Sequence, residues 1–213
     1  MDVQHEIAKA GGLLKGEYFF ALKKEGRIAT EYVNMDPVFT YPRVMPLLGS
    51  LLLARHRFKA TAIAGPAVGG IPLIYAAASN SLLYGIRTVW ADKQKDGSFA
   101  FERMGFAQAV EGSEVLVVED VTTTGSSALA VGRLIEAAGG RVLGYEFVWN
   151  RGGVTEDIMG APVHALVERK IESFDYSEHP EWGNWPLVAD IGHPEHYPNY
   201  PGPRINLLKK SRK

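Results

Sequence analysis

Two adjacent carboxylates, Glu119 and Asp120, close the apolar run "EVLVVED", and five of the six residues at 122–127 carry hydroxyls. Apolar strands seldom end in paired acids. Here the acids are followed by "VTTTGSS" and then by an amphipathic helical pattern, "ALAVGRLIEAAGG". A helix entered at that point offers unpaired N–H groups and the positive end of its dipole, a site suited to a phosphate dianion. Thr123, Thr124, Ser126 and Ser127 add hydroxyl donors, and Gly125 permits close backbone approach. Helix capping accounts for one or two of these hydroxyls, not for all of them. The acids cannot face a phosphate, because like charges repel. They suit the hydroxyls of a sugar diol, and the combination reads as a ribose 5-phosphate site.

The elements that must position these residues follow from periodicity. "SEVLVVED" is a strand and "SSALAVGRLIEAAGG" a helix stopped at Gly139-Gly140. "ATAIAGPAVGGIPLIYAAASN" reads as a buried strand, a Gly/Pro loop and a helix. "RVLGYEFVWNRGG" and "APVHALVERK" supply two more strands, and "PRVMPLLGSLLLARHRF" another helix. Strands alternating with helices over 60–170 predict an α/β fold with a central parallel sheet flanked by helices. In such a sheet ligands bind beyond the carboxyl ends of the strands. Residues 1–16 are expected to form an amphipathic helix, and 16–35 two short extended segments turning at Gly26. "ADKQKDGSFAFERMGF" begins as a strand and becomes polar, so a mobile excursion over 91–106 is expected, offering Lys93, Lys95 and Arg103. Beyond about residue 172 the composition turns to Pro, His, Trp and Asn and reads as an irregular tail.

Composition removes several classes. The 213 residues have 46% hydrophobic and 22% charged content and a formal charge of −1, ordinary for a globular chain with a core of its own. That charge favours neither nucleic acid nor an acidic membrane. With no cysteine there is no disulfide, thiolate metal site or cysteine nucleophile. No basic segment followed by an apolar one opens the chain, and no apolar run reaches the ~18–20 residues of a membrane span. A cytoplasmic location is expected. Neither a Walker loop nor a G-x-G-x-x-G fingerprint occurs. His179, His193 and His196 match no zinc-binding spacing and are read as surface or packing residues.

"VLVVEDVTTTGSS" resembles the phosphoribosyl diphosphate (PRPP) signature of the type I phosphoribosyltransferases. Within them the chain is similar to the orotate-using enzymes over roughly residues 10–172. "AGPAVGGIPLIYAAA" resembles their diphosphate loop, "FALKKEGRIATEYVNM" their N-terminal hood, "FERMGF" the close of their lid, and "WPLVADIGHP" a tail whose two cysteines are missing here. The resemblance implies a phosphoribosyltransferase domain over 1–172, its hood over about 1–40, and an appendage over 173–213. It also implies transfer of phosphoribose from PRPP to orotate, in a homodimer that shares its lid across the interface. PRPP would meet Lys23, Ala67, Val68, Gly69 and Gly70, the acids Glu119 and Asp120, and the 123–127 turn. Orotate would meet Lys23, Thr123 and Arg151, and catalysis would rest on Lys93, Lys95, Arg103 and Asp120. Mg²⁺ would bind through the substrate, with Asp120 reaching it through water and no cage of protein side chains. The Ala67–Val68 peptide would be cis. A purine-base transferase would favour neutral contacts over the Lys23/Arg151 pair. A PRPP-sensing regulator without activity would keep the same pocket, usually beside a DNA-binding domain or a basic face.

Overall fold

In the computed structural model, residues 2–22, 27–80, 85–178 and 184–208 are described. The first part of the chain runs through α1 (Val3–Lys9), β1 (Leu13–Ala21), β2 (Arg27–Val33), α2 (Asp36–Phe39) and α3 (Met45–Leu53). β3 (Ala62–Pro66), α4 (Gly70–Ser79), β4 (Arg87–Lys93), β5 (Phe99–Ala100) and α5 (Phe106–Val110) follow. Next come β6 (Glu114–Thr122), α6 (Ser126–Ala137), β7 (Arg141–Asn150), α7 (Glu156–Met159) and β8 (Val163–Glu168). The tail adds β9 (Phe174–Asp175), β10 (Leu187–Val188) and β11 (Arg204–Ile205).

The chain divides into two compact units, one of residues 1–10 and 35–170, the other of 11–34 and 171–213. The first contains a sheet in the order β5-β4-β3-β6-β7-β8, parallel throughout except that β5 returns antiparallel on β4. Its central strands are buried on both faces, as "AIA" and "VLVV" require. Val115, Val117, Tyr145 and Phe147 share one core with Val131 and Ile135 of α6. The parallel α/β core is the one that strand–helix alternation predicts.

The second unit holds a sheet in the order β11-β10-β1-β2-β9. β1 and β2 form the antiparallel hairpin, and three short tail strands complete the sheet. Phe19, Ile28, Leu187 and Tyr200 make its core, with Trp185 packed on Phe19 at 5.4 Å between ring centres. The 171–208 region is therefore not a separate irregular appendage. Its strands are too short to register as periodic patterns, and they pair with the hairpin expected to belong to the first 172 residues. The helix expected over 1–16 stops at Lys9, and Leu14 sits in β1. Gly11, in the left-handed region at φ 82°, breaks the helical pattern there.

Residues 91–106 also differ from expectation. β4 turns back through Asp96 and Gly97 into β5, with Lys93 opposite Phe99. The Ser98 amide and hydroxyl donate to the Asp96 carboxylate at 2.9 and 2.7 Å, which closes the turn. Phe99 and Phe101 are two residues apart and both pack on the core, the half-buried alternation of a hairpin.

Packing between α3 and α4 rests on Gly49. A Cβ there would lie 2.3 Å from the Ala76 carbonyl, which is backbone and cannot swing away. Alanine gains at most about 1 kcal/mol of helix propensity, whereas forced overpacking costs about 1–3 kcal/mol. The clash wins. Gly49→Ala should lower Tm by roughly 2–4 °C for a net loss of about 1 kcal/mol. A thermal melt showing a rise instead would mean that the helices are free to separate.

Candidate active site

Three connections meet at the carboxyl edge of the parallel sheet: the loop from β3 to α4, the loop from β6 to α6, and the turn after β7. Their approach depends on missing side chains. A Cβ on Gly65 would sit 2.3 Å from the Val118 carbonyl oxygen, and one on Gly69 would sit 2.5 Å from Asp120 Oδ2. The Ala67–Val68 peptide is cis. The Ala67 N–H donates to Ala91 O at 2.8 Å, so it extends the β-ladder and is not part of an amide cradle. Val68 is 78% exposed, and Gly69 caps α4, whose first turn carries the unpaired amides of any helix start.

The acids lie inside β6, which continues to Thr122, two residues further than its apolar run indicates. Glu119 is only 8% exposed and is partnered. Asp120, half-buried, accepts the Val121 N–H at 2.8 Å and faces Gly69. Burial pushes its carboxyl above the ordinary value of 3.8, Asp36 adds repulsion, and the Val121 amide opposes both. An ionised Asp120 is thus held at a cost that its backbone amide donors offset only in part.

Gly125 at φ 75° caps α6 and donates its N–H to Thr122 Oγ1 at 3.1 Å. Thr122, 2% exposed, is therefore a structural hydroxyl. Thr123, Thr124 and Ser126 are exposed and Ser127 is half-buried, with Thr124 Oγ1 donating to Ser126 Oγ at 3.1 Å. These hydroxyls stand at the N-terminus of a 12-residue helix, which suits a dianion. Arg151 enters the same cluster: its Nε donates to Thr123 Oγ1 at 2.7 Å and its N–H to Thr122 O at 3.0 Å. A Cβ on Gly152 would fall 1.6 Å from Thr123 O, so only glycine fits there.

Sequence reasoning passed over Asn150. Buried at 5% exposure, it accepts the Gly153 and Val154 N–H groups at 3.0 Å and donates to Val154 O at 2.8 Å, which fixes the turn carrying Arg151. The available signal was an amide closing an apolar strand before Gly-Gly.

The lid candidates are not gathered at the acids. Lys93 and Lys95 are exposed on the β4–β5 hairpin. Arg103 is tied to that hairpin, with Nε 3.2 Å from Asp92 Oδ2 and its guanidinium 5.9 Å from the Trp90 ring centre. Lys23 and His179 lie outside the described residues. A cavity of about 540 Å³ opens at the opposite, amino-end edge of the sheet, lined by Arg55, His56, Arg141 and His164 among others. It is remote from the carboxyl-edge cluster and takes no part in it. Among the described residues no helix is long and apolar enough to cross a membrane.

The model of the phosphoribosyl transferase domain matches residues 43–174. The orotate phosphoribosyltransferase of Deinococcus radiodurans is 30% identical over 187 residues, covering 85% of this chain and 93% of that protein. That of Caldanaerobacter subterraneus subsp. tengcongensis is 31% identical over 160 residues, covering 75% and 80%. A Mycobacterium tuberculosis orotate phosphoribosyltransferase, solved with PRPP, aligns with a TM-score of 0.52 at 25% identity, covering 64% of this chain and 80% of that one.

The Asp120 environment has a consequence for stability. A carboxyl whose folded pKa is raised keeps its proton longer in the native than in the unfolded state. Stability is therefore highest below the ordinary value of 3.8 and falls as pH rises through the raised value. Asp120→Asn keeps an oxygen for the Val121 amide and removes the charge. Near neutral pH, without ligand, its Tm should exceed that of the parent, and the gap should close as pH falls below that value. A lower Tm near neutrality would show that the ionised group is stabilised where it stands.

Proposed function

This chain belongs to the phosphoribosyl transferase domain family, and we propose that within it the protein transfers the 5-phosphoribosyl group of PRPP to orotate. The products are orotidine 5-phosphate and diphosphate. The observation that carries this reading is the joining of Arg151 to Thr123, which puts an anion-recognising guanidinium on the phosphate-type turn. Orotate is a planar carboxylate, and a guanidinium fork suits it better than it suits a neutral base. The sequence likeness to the orotate enzymes of 30% and 31% identity extends over most of the length of both chains.

The reaction breaks the bond between C1 of the ribose and the diphosphate oxygen, and forms one from C1 to the base nitrogen. The sugar passes through a cation-like state, so positioning and charge placement supply most of the rate. Thr123, Thr124, Gly125, Ser126 and Ser127 hold the 5-phosphate at the α6 N-terminus. Asp120, with Glu119 behind it, accepts the ribose hydroxyls and fixes the ring. Val68, Gly69 and Gly70 present amides to the diphosphate. Lys93 and Lys95 are long, exposed cations that can fold over the leaving group and exclude water. Arg103 joins them only on leaving Asp92.

Mg²⁺ suits this donor set. Asp120 is a hard oxygen ligand whose burial raises the cost of its charge, and a cation nearby removes that cost. Asp120 would be the protein oxygen nearest such an ion, and the ion would supply positive charge to the leaving diphosphate. The protein works as a cytoplasmic homodimer, with Lys93 and Lys95 of one subunit serving the acids of the other.

Diphosphate release with PRPP and Mg²⁺ should occur with orotate and not with adenine, hypoxanthine or uracil. Turnover of a purine, with none of orotate, would replace the base assignment. Arg151→Ala should weaken orotate by at least about tenfold, near 1.4 kcal/mol, while PRPP binding changes much less. Equal losses for both substrates would remove Arg151 from the base site.

Sharing of the lid has its own test. Lys93→Ala/Lys95→Ala and Glu119→Gln/Asp120→Asn chains should each be inactive alone. Mixing and re-equilibrating them should restore activity, because some heterodimers then carry one intact site. No recovery, with subunit exchange verified, would assign the lysines to their own subunit's acids.

A further inference from the structure

Pro194–His196 of the tail form one turn of 3₁₀ helix, entered from His193. Side chains three apart nearly eclipse in such a turn, and this brings His193 and His196 together on either side of Glu195. His193 Nδ1 lies 3.1 Å from Glu195 Oε1, and His196 Nε2 lies 3.7 Å from the same oxygen. All three donor atoms fall within 4.8 Å of one another. We propose that His193, Glu195 and His196 form a binding site for a divalent cation of the zinc class.

Geometry favours such an ion. With bonds of about 2.0–2.1 Å, ligand atoms around a tetrahedral zinc stand roughly 3.3–3.4 Å apart. The two separations to Glu195 fall on either side of that value, and the two ring nitrogens lie within 4.8 Å of each other, so side-chain rotation about the fixed backbone must close the set around an ion. Donor chemistry narrows the choice. Two imidazole nitrogens with one carboxylate select zinc and its neighbours in the transition series, not Mg²⁺ or Ca²⁺, which require oxygen. The side chains of His193, Glu195 and His196 are 33%, 63% and 41% exposed, leaving an approach from solvent and room for water as a fourth ligand.

The backbone holds these ligands in place before any ion arrives. The His193 N–H donates to Ala21 O at 2.9 Å and the His196 N–H to His193 O at 3.0 Å. Gly192, at φ 85°, lies so close to Ala21 that a Cβ would stand 2.9 Å from its carbonyl oxygen. The turn is thus seated at the end of β1, where little ordering remains to oppose binding. A bound cation would tie the three side chains of this turn together. Sequence spacing hides this site. Helical and ribbon templates place zinc ligands at other intervals, whereas a single 3₁₀ turn serves H-x-E-H.

The test uses the full chain without a histidine tag, freed of metal by chelation and dialysis. Calorimetric titration with Zn²⁺ should show one saturable equivalent, and Co²⁺ should give the visible absorption of a nitrogen- and oxygen-ligated tetrahedral ion. His193→Asn, His196→Asn and Glu195→Gln should each weaken Zn²⁺ by at least about tenfold, and the double histidine variant should abolish the Co²⁺ bands. Circular dichroism of the metal-free variants should match the parent, because all three side chains are partly exposed. Absence of a saturable site would reduce the cluster to a pair of ion pairs. Undiminished binding in His193→Asn/His196→Asn would move the ion to other residues. Either result overturns the proposal.

Discussion

Everything at the carboxyl edge depends on the close approach of three backbone segments to β6 and its turn. Gly65 meets the carbonyl of Val118, Gly69 the carboxylate of Asp120, and Gly152 the carbonyl of Thr123, each at a distance no Cβ could occupy. None of these three glycines has a positive φ. Their requirement is one of space, not of conformation. Gly125 is the opposite case, because its φ of 75° turns the chain from β6 into α6. Two kinds of glycine therefore build one site. The first kind lets the loops converge, and the second starts the helix whose amides point into the convergence.

This distinction governs what could be read from the sequence. The acid pair, the hydroxyl turn and the helix after it are contiguous, so local chemistry and periodicity describe them well. The parallel core is legible because β3, β6 and β7 are apolar on both faces and helices separate them. What was not legible is long-range. Asn150 fixes a turn through three hydrogen bonds, and an amide closing an apolar strand before Gly-Gly is only a faint sign of them. β9, β10 and β11 have two residues each, too few to show alternation, and they become strands only by pairing with a distant hairpin. The β4–β5 hairpin was masked by its charges, since Phe99 and Phe101 occupy alternate positions among Lys, Asp and Glu.

Charge is managed in two ways across the first unit. At the amino-end edge Glu146 is fully buried, with His56 at 3.2 Å from one oxygen and the Arg55 guanidinium at 3.8 Å from the other, which accepts no hydrogen bond from the described residues, so side chains of the fold answer its charge in part. At the carboxyl-end edge Asp120 has an amide for a partner and another acid, Asp36, in its field. The contrast separates a structural carboxylate from one prepared for an external partner. Buried charges are normally paired. One helped only by backbone amides retains a preference for a cation or for hydroxyl donors, and the ribose of PRPP would bring the hydroxyls.

In the proposed reading, such a design would link recognition of the base to recognition of the sugar phosphate. Thr123 begins the phosphate-type turn and accepts a hydrogen bond from Arg151, while Thr122 accepts the Arg151 backbone N–H. A phosphate that orders this turn therefore also orders the guanidinium, because neither hydrogen bond survives if the turn moves alone. The buried Asn150 carries the constraint into β7, which pairs with β6 along nearly its whole length. Arg151 is thus held by two neighbouring strands. In a reaction that needs little covalent help, this is where the protein can contribute most. If Arg151 holds the base and the 123–127 turn the sugar phosphate, as proposed, the pairing of β6 with β7 would set the distance between the attacking nitrogen and the ribose carbon.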